Sequence, residues 1–275
     1  MPTIRSRRHP LVARCRALAD GRDRDDPAVL LDGLHLLADA LAAELAVEVA
    51  AFTPAALARA DGEGRRLAAL AEARGVRIVE VAEAVMDAMS PTRSPGGVVA
   101  LAVRPAESWP LAGSDLPLVV LAVGVQDPGN LGAIVRACDA AGTAGVVVAG
   151  ATADPFGWKA LRGAMGSAFR VPIARAPVLG EAVARLRHAG FALAAAVPRD
   201  GRDFQRADLA RPVVVALGGE GPGLPADLVA QADERLTVPM RPGVESLNVA
   251  VTAALVAYEA RRQRLASPTV AQEAR

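Results

Sequence analysis

The sequence predicts an α/β protein made of two domains. Apolar runs of strand length alternate with segments of helical spacing along most of the chain, a pattern typical of sheets covered by helices. The chain has 275 residues, of which 52% are hydrophobic, so it can bury two cores. The Pro- and Ser-containing run at residues 104–117 is predicted to link one domain at residues 1–103 to a second at residues 118–265. Residues 266–275 are predicted to form a disordered tail.

The first domain is predicted as a small alternating α/β unit. Its predicted helices are Leu11–Leu18, Leu30–Leu45, Pro54–Arg74 with a break near Gly62 and Gly64, and Ala82–Met89. Its predicted strands are Leu45–Phe52, Val76–Val81 and Gly97–Val103. The domain contains no cluster of catalytic residue types, so binding or orienting a substrate is its expected role.

The second domain alternates strands with helices, which predicts a mostly parallel sheet. Its predicted strands are Leu118–Val125, Gly145–Ala149, Phe169–Ile173, Phe191–Val197 and Val213–Leu217. Its predicted helices are Leu131–Ala141, Asp154–Met165 and Val178–His188. Asn130 is predicted to be the N-cap of the first of these helices, and Gly142 the residue that ends it.

The stretch Leu236–Arg262 joins a short apolar strand to the last helix through an irregular loop. The helix is expected to open near Ser246, which is either its N-cap or a polar group of a ligand site. Helical spacing predicts one buried stripe: Leu247, Val251, Ala254, Leu255 and Tyr258. Other positions are apolar too: Val249, Ala250, Ala253 and Val256. A helix that is apolar nearly all round is expected to lie in a large core or under a partner subunit. Its first turn carries Ser246 and Asn248 beyond the carboxyl end of a strand, where α/β proteins place ligands.

Composition narrows the possible functions. The net charge of +1 argues neither for nor against a nucleic-acid partner, although arginines stand at positions 5, 7, 8, 14 and 16. Aromatic residues make up only 3%, so binding of single strands by base stacking is not expected. Cys15, Cys138 and the histidines show no metal-ligand spacing, which predicts no metal site and a reducing, cytoplasmic location. No apolar run reaches the roughly 18 residues of a membrane span.

The run GGEGPGLP at Gly218–Pro225 follows a predicted strand and precedes a short helix. Gly221, Gly223 and Ala226 match the dinucleotide-binding form G-x-G-x-x-A, but the first strand of this domain is followed by DPGN, so nicotinamide binding is the weaker reading. The glycines indicate that backbone approaches a neighbour closely or turns sharply. Glu220 is either a solvated loop acid or a polar group of a site.

Three polar segments each follow an apolar strand: NLGAIVR at Asn130–Arg136, GGEGPG at Gly218–Gly223 and SLN at Ser246–Asn248. In order, spacing and context they resemble the three motifs of the SpoU family of RNA ribose 2′-O-methyltransferases, within the SPOUT superfamily. The third motif, with VPM before it and YEARR after it, is the most specific. The resemblance covers Leu118–Arg262, and KALRGAMGSAFRVP at Lys159–Pro172 is also similar to a family segment. Less specifically, RSRRHP, LLDG and SPTRSPGGVV in the first domain resemble the family's substrate-binding domain.

The resemblance implies a deep trefoil knot in the C-terminal segment, a bound S-adenosylmethionine (SAM) and a homodimer paired through the knot helices. Knots are nearly absent from proteins, so periodicity alone could not have predicted one. Matching the motif positions gives a set of candidate cofactor-binding residues: Val197, Leu217, Gly218, Gly219, Val238, Met240 and Leu247. Adenine needs an apolar slot with backbone N–H and C=O groups, which explains why glycines and apolar residues serve.

The implied reaction is methyl transfer from SAM to a ribose 2′-hydroxyl of a structured RNA, ribosomal RNA rather than transfer RNA. Arg136 matches the family arginine implicated in removing the hydroxyl proton. Neutralising an arginine at pH 7 costs roughly 8 kcal/mol, so we interpret Arg136 as a clamp on the adjacent phosphate and leave deprotonation open. Asn130 and Asn248 would hold Arg136 or the ribose. Ser246 would bond near the cofactor carboxylate or the substrate, and Glu220 would orient Asn130 or Arg136.

The candidate phosphate contacts are Arg5, Arg8, Lys159 and Arg162. Two alternatives stay open at this point. One is an RNA-binding protein that keeps the fold but has lost catalysis, although the complete set of polar motif residues argues against it. The other is a nucleotide- or dinucleotide-dependent enzyme that uses the GGEGPG loop and binds no SAM.

Overall fold

The computed structural model describes residues 2–23 and 25–266. The chain divides into two compact units, one formed by Met1–Ala106 with Phe156–Phe169 and the other by Glu107–Pro155 with Arg170–Arg275. Apart from Ala266, the predicted disordered tail lies outside the described residues. No helix in the described ranges is long and apolar enough to cross a membrane.

The first unit contains a five-stranded sheet. Its strands are β1 (Thr3–Ile4), β2 (Ala28–Asp32), β3 (Val47–Phe52), β4 (Arg77–Val81) and β5 (Val98–Val103). Its first helices are α1 (Pro10–Asp20), α2 (Leu34–Ala42), α3 (Pro54–Leu57), α4 (Glu63–Ala73) and α5 (Glu83–Met89). The strand order is β1-β4-β3-β5-β2, with β5 antiparallel to both of its neighbours and the other pairs parallel. The carboxyl ends of β1 to β4 therefore lie at one edge, together with the start of β5.

The second unit contains a seven-stranded parallel sheet. Its strands are β6 (Leu118–Val123), β7 (Gly145–Ala149), β8 (Ile173–Ala176), β9 (Ala192–Ala196), β10 (Arg202–Asp203), β11 (Val213–Gly218) and β12 (Glu234–Thr237). The remaining helices in the described residues are α6 (Pro128–Ala141), α7 (Trp158–Ala164), α8 (Leu179–His188), α9 (Ala226–Gln231) and α10 (Val249–Ala266). The strand order is β10-β12-β9-β11-β6-β7-β8, and every neighbouring pair is parallel.

The predicted α/β architecture with a mostly parallel C-terminal sheet is thus confirmed. Because all seven strands of the second unit point the same way, the loops that follow them meet at a single edge. The trefoil knot stays a prediction, since strand order does not describe how the chain threads through itself.

The α6 helix begins earlier than the sequence predicted. Its N-cap is Asp127, whose carboxylate accepts a hydrogen bond from the backbone N–H of Asn130 at 2.7 Å, so the prediction of Asn130 as N-cap is wrong. Pro128 occupies the first turn, where its missing N–H costs nothing. The Asn130 side chain is consequently not used for capping. Gly142 ends the helix at φ 77°, as predicted.

Two strands differ from the sequence prediction for identifiable reasons. Ala28–Asp32 is a buried strand rather than part of a helix over Leu30–Leu45, because Gly33 at φ 103° cannot continue a helix and α2 starts only after it. The β8 strand begins at Ile173 rather than Phe169. Pro172, which lacks an N–H, precedes it, and Ser167–Phe169 forms a 3-10 turn instead.

The boundary between the units also differs from the predicted one. Residues 107–117 belong to the second unit: Trp109 lies under the guanidinium of Arg185 at 4.1 Å, and Leu116 is buried. The α7 helix belongs to the first unit, where the Trp158 indole N–H donates to the Ala19 carbonyl at 3.0 Å. Lys159 and Arg162 on α7 are therefore part of the first unit.

The last helix, α10, buries a different face from the predicted one. Its buried residues include Val249, Ala253, Val256, Ala257 and Ala260, and it packs against α6. Alanines on this face permit a close approach of the two helices. The stripe predicted to be buried is largely exposed, at 48% for Val251, 38% for Leu255 and 51% for Tyr258.

Candidate active site

A cavity of about 520 Å³ opens at the carboxyl edge of the seven-stranded sheet. The segments that follow β9, β11 and β12 line it, together with the start of α10. The volume lies within the ~300–1,000 Å³ that is usual for ligand pockets. The position is the one where parallel α/β sheets bind their ligands.

All seven cofactor candidates from the sequence line this cavity: Val197, Leu217, Gly218, Gly219, Val238, Met240 and Leu247. The structure also places Glu220, Ser246 and Asn248 in its wall. Residues from three separate segments thus meet around one space. Their individual roles toward a cofactor stay predictions.

The cavity has the features that an adenosyl group requires. The β9 strand pairs with β11 only as far as Ala195 and Ala216, so Leu217 and Gly218 extend beyond it and leave one side of their backbone without a neighbouring strand. Val238, Met240 and Leu247 supply apolar surface. Adenine binds in such apolar slots with backbone N–H and C=O groups at its edge. The residues present therefore fit SAM.

The glycines after β11 are required by close backbone packing. A Cβ at Gly218 would lie 2.5 Å from the Leu224 nitrogen, and a Cβ at Gly219 would overlap the carbonyl oxygen of Gly124. Gly221 has a φ of 94°, which side chains other than glycine rarely adopt. The loop is therefore folded back on itself and against the turn that follows β6.

Three polar side chains form a hydrogen-bonded chain beside the cavity. The Asn248 amide donates to Oδ1 of Asn130 at 3.0 Å, and the Asn130 amide donates to Oε1 of Glu220. Oδ1 of Asn248 accepts from the backbone N–H groups of Ala250 at 2.9 Å and Val251 at 3.3 Å. Asn248 is therefore the side chain that caps α10, so of the two alternatives for Ser246 the N-cap role is wrong.

Arg136 and Ser246 lie outside this chain of hydrogen bonds. Arg136 is exposed on α6 and makes no hydrogen bond or ion pair with the residues that the structure describes. It lies six positions after Asn130, which places the two side chains on different faces of the helix. Ser246 lines the cavity mouth and is exposed. Asn248, Asn130 and Glu220 thus form a hydrogen-bonded relay beside the cavity. The Arg136 guanidinium remains available to a binding partner outside the protein.

The predicted phosphate contacts are exposed in the first unit. Arg5 and Arg8 follow β1, and Lys159 lies 5.4 Å from the ring of Trp158 on α7. Arg162 stands 3.9 Å from the Asp32 carboxylate. Other arginines near the N-terminus are engaged: Arg14 binds Asp26 and Glu48, Arg7 donates to the Ala84 carbonyl and Arg16 to the Ala88 carbonyl.

Sequence reasoning missed some residues of the cavity. Phe204 and Thr252 line it, as does Pro198. Thr252 stands one turn after Asn248 on α10, so helical spacing could have indicated it. No sequence signal identifies Phe204, because it reaches the site through a short 3-10 turn. In the described part of the chain, no group of three His, Cys, Asp or Glu side chains is placed to hold a metal ion.

Comparisons with known proteins identify the family. Residues 117–258 match the SpoU rRNA Methylase family, and residues 9–100 match the MRM3-like substrate binding domain. An uncharacterized tRNA/rRNA methyltransferase of Synechocystis sp. is 33% identical over 268 residues, covering 97% of this chain and 96% of the relative. The 23S rRNA (guanosine(2553)-2′-O)-methyltransferase RlmP of Bacillus subtilis is 35% identical over 187 residues, covering 68% of this chain and 73% of the relative.

A solved structure extends the similarity to the whole fold. The AdoMet-bound rRNA methyltransferase from Sinorhizobium meliloti superimposes with a TM-score of 0.81 at 30% identity, covering 95% of this chain and 97% of the other. The family match covers more than half of the chain, and the same motif loops surround the cavity. This chain therefore belongs to the SpoU rRNA methylase family.

Proposed function

We propose that the protein transfers the methyl group of SAM to a ribose 2′-hydroxyl of ribosomal RNA, as a cytoplasmic homodimer. Family membership supports RNA methylation, and the AdoMet-bound neighbour supports the cofactor. The name of the Bacillus subtilis relative supports the 2′-oxygen of ribosomal RNA as the acceptor. The observation that carries the proposal is the convergence of the cofactor candidates on one cavity, beside the Asn248–Asn130–Glu220 chain.

The cavity residues would hold the cofactor. The backbone of Leu217 and Gly218 would bond the adenine edge, and Val238 and Leu247 would cover its faces. Ser246 would bond the polar end of the cofactor or the substrate. When bound, SAM supplies a methyl group on a positively charged sulfur, and the protein must align the acceptor oxygen with it.

The polar residues would prepare the acceptor. Glu220 fixes the Asn130 amide by accepting its hydrogen bond, and Asn248 fixes the opposite end. Arg136 would bind the phosphate next to the target ribose and stabilise negative charge that develops on the 2′-oxygen. Its guanidinium is free to do so because no described residue pairs with it.

The homodimer would bury the exposed stripe of α10. Val251, Leu255 and Tyr258 recur at helical spacing and are each more than a third exposed. Aromatic and branched apolar side chains of this kind anchor subunit interfaces. A second copy of the chain is the expected partner, with an interface of at least ~1,000 Å².

The inactive RNA-binding alternative is weaker because the polar relay is intact. An RNA-binding protein without catalysis would not need Asn130 oriented from both sides. The dinucleotide alternative is weaker because the GGEGPG loop packs against the turn after β6.

Mapping of 2′-O-methyl groups tests the proposal. We expect one ribosomal RNA ribose to be methylated in cells that carry the gene and unmethylated in cells that lack it. Calorimetry should show SAM binding without added metal. If the gene-dependent 2′-O-methyl group lay only in transfer RNA, the substrate would be transfer RNA instead of ribosomal RNA. Binding of a nicotinamide cofactor without binding of SAM would overturn the proposal.

A further inference from the structure

Exposed cations gather at one edge of the five-stranded sheet in the first unit. This edge holds the carboxyl ends of β1 to β4 and the start of β5. Arg5 follows β1, and Arg93 lies in the segment between α5 and β5. Both are exposed and form no hydrogen bond or ion pair with any residue in the described ranges.

A buried carboxylate organises the middle of this edge. Asp32 ends β2, and its side chain is only 7% exposed. It accepts a hydrogen bond from Oγ of Ser90 at 2.8 Å, and Oγ of Ser90 lies 2.9 Å from Oγ1 of Thr92. Nη1 of Arg162 stands 3.9 Å from Oδ2 of the same carboxylate. Asp32 therefore ties both the segment that carries Arg93 and the guanidinium of Arg162 to the end of β2.

The segment Ser90–Gly97 is held at its other end as well. Thr53 donates from its backbone N–H to the Gly97 carbonyl at 2.9 Å. A Cβ at Gly97 would lie 2.9 Å from Oγ1 of Thr53, so the chain passes there too closely for a side chain. Arg93 thus stands on a loop anchored at both ends, and such support favours a defined contact.

The opposite edge of the same sheet has a different charge. Asp26 and Glu48 stand there, at the amino ends of β2 and β3, and both bind Arg14. The cation of Arg14 is therefore neutralised within the protein, whereas Arg93 and Arg5 keep theirs for an external anion. Arg77 at the start of β4 is an exposed arginine of this opposite edge.

We propose that RNA docks on the carboxyl edge of the five-stranded sheet, where Arg93 and Arg162 bind phosphates and Asp32 is a positioning residue for Arg162. The proposal rests on the RNA substrate of the proposed function and adds its place on the first unit. Phosphate contacts of this kind position a nucleic acid without reading its sequence. The spread of cations along the edge fits a run of phosphates better than a single anion.

Binding to deproteinised 23S ribosomal RNA over a range of salt concentrations tests the proposal. Arg93→Ala and Arg162→Ala should each weaken binding about fivefold and lower the salt slope by about one. Arg77→Ala is the matched control and should change neither quantity. SAM binding, followed by calorimetry, should be the same in all three variants because the cofactor cavity lies in the other unit.

Asp32→Asn distinguishes a positioning role of Asp32 toward Arg162 from a general effect of its negative charge on RNA binding. Loss of a negative charge by itself would tighten RNA binding, whereas loss of the group that holds Arg162 should weaken it. We expect weaker binding, because the asparagine loses the charge that holds Arg162. Its Oδ1 can still accept the hydrogen bond from Ser90, so adding Asp32→Asn to Arg162→Ala should cause no further loss. Tighter binding by Asp32→Asn would overturn the positioning role. If Arg93→Ala and Arg162→Ala bound RNA with the same affinity and salt slope as Arg77→Ala, the proposed docking surface would be wrong. SAM binding and methyl transfer would still test the proposed function separately.

Discussion

Asn248 donates a hydrogen bond to Asn130 at 3.0 Å, and this contact joins the start of α10 to the first turn of α6 across 118 positions of sequence. Both amides have only one orientation that satisfies their neighbours. Glu220 as a carboxylate can only accept, and the backbone N–H groups of Ala250 and Val251 can only donate. The relay is therefore fixed at both ends before any substrate arrives. In the proposed function it would supply the preorganisation that an aligned methyl transfer requires.

Replacement of Asn130 by aspartate should break the relay. Asn130→Asp sets a carboxylate against Glu220 and removes the donor, so methyl transfer should fall by about 100-fold through misalignment. SAM affinity should stay within a few-fold, because Asn130 does not line the cavity. Single-turnover methylation and calorimetry measure the two effects.

A second substitution provides the control for this variant. When Glu220→Gln is added to Asn130→Asp, the glutamine amide can donate to the new carboxylate, which can still accept from Asn248. Activity should recover in part. A double variant less active than Asn130→Asp alone would contradict the orientation of the relay.

The exposed stripe of α10 should determine the oligomeric state. Val251→Asp should convert a dimer, near twice 28.2 kDa, into a monomer because it places a charge in an apolar interface. Leu70→Asp is the matched control: Leu70 on α4 is also exposed, at 45%. Light scattering at micromolar concentration should give a dimer for the control. A monomeric wild-type protein would refute the interface.

Gly219 should be intolerant of any side chain. In Gly219→Ala the new Cβ overlaps the Gly124 carbonyl, so the loop after β11 must move and SAM binding should be lost. Gly180→Ala on α8 is the control, since its Cβ meets nothing within 4 Å. It should bind SAM normally, and the alanine should stabilise the helix by up to ~1 kcal/mol. Equal SAM affinity in both variants would show that this loop does not shape the pocket.

The ion cluster around Arg14 should make the stability of the first unit depend on pH. Hydrogen bonds from Arg14 hold the pKa of Asp26 below its usual range. A carboxyl with a lowered pKa stabilises the folded state above its unfolded value near ~3.9, and this contribution is lost as pH falls through the folded pKa.

Arg14→Ala should therefore lower the free energy of unfolding by roughly 2 kcal/mol at pH 7, because Asp26 is left buried without its partner. The difference from wild type should shrink below about pH 4 as Asp26 protonates. Urea denaturation at several pH values measures it. A constant difference across this range would mean that Arg14 acts through packing rather than charge.

The sequence predicted the α/β class, the parallel sheet and the family, because apolar runs and three spaced motifs are local signals. It could not predict which face of α10 is buried, since both faces are apolar and only the position of α6 selects Ala253 and Val256. It also missed β2, where Gly33 breaks an otherwise helical spacing of leucines. The local spacing of apolar residues predicts the helices and strands, whereas tertiary contacts determine which of two apolar faces is buried.

The same limit applies to the site. Motif positions selected residues that line the cavity, because each follows a strand whose carboxyl end reaches the same edge. The placement of α7 in the first unit had no local signal, since it depends on contacts such as that of Trp158 with Ala19. Lys159 and Arg162 therefore lie in the first unit rather than in the predicted second domain. Their candidate role as phosphate contacts stays the same.

Arg136 provides the most direct test of the proposed chemistry. Single-turnover methylation of the mapped RNA should be abolished in Arg136→Ala while SAM affinity stays within a few-fold, since Arg136 does not line the cavity. In Arg136→Lys, a clamp that needs the planar guanidinium should recover little activity at neutral pH. A rate that rises as pH approaches 9–10 would instead indicate proton removal by the lysine, whose pKa is lower. Turnover by Arg136→Ala close to that of the wild type would contradict the account.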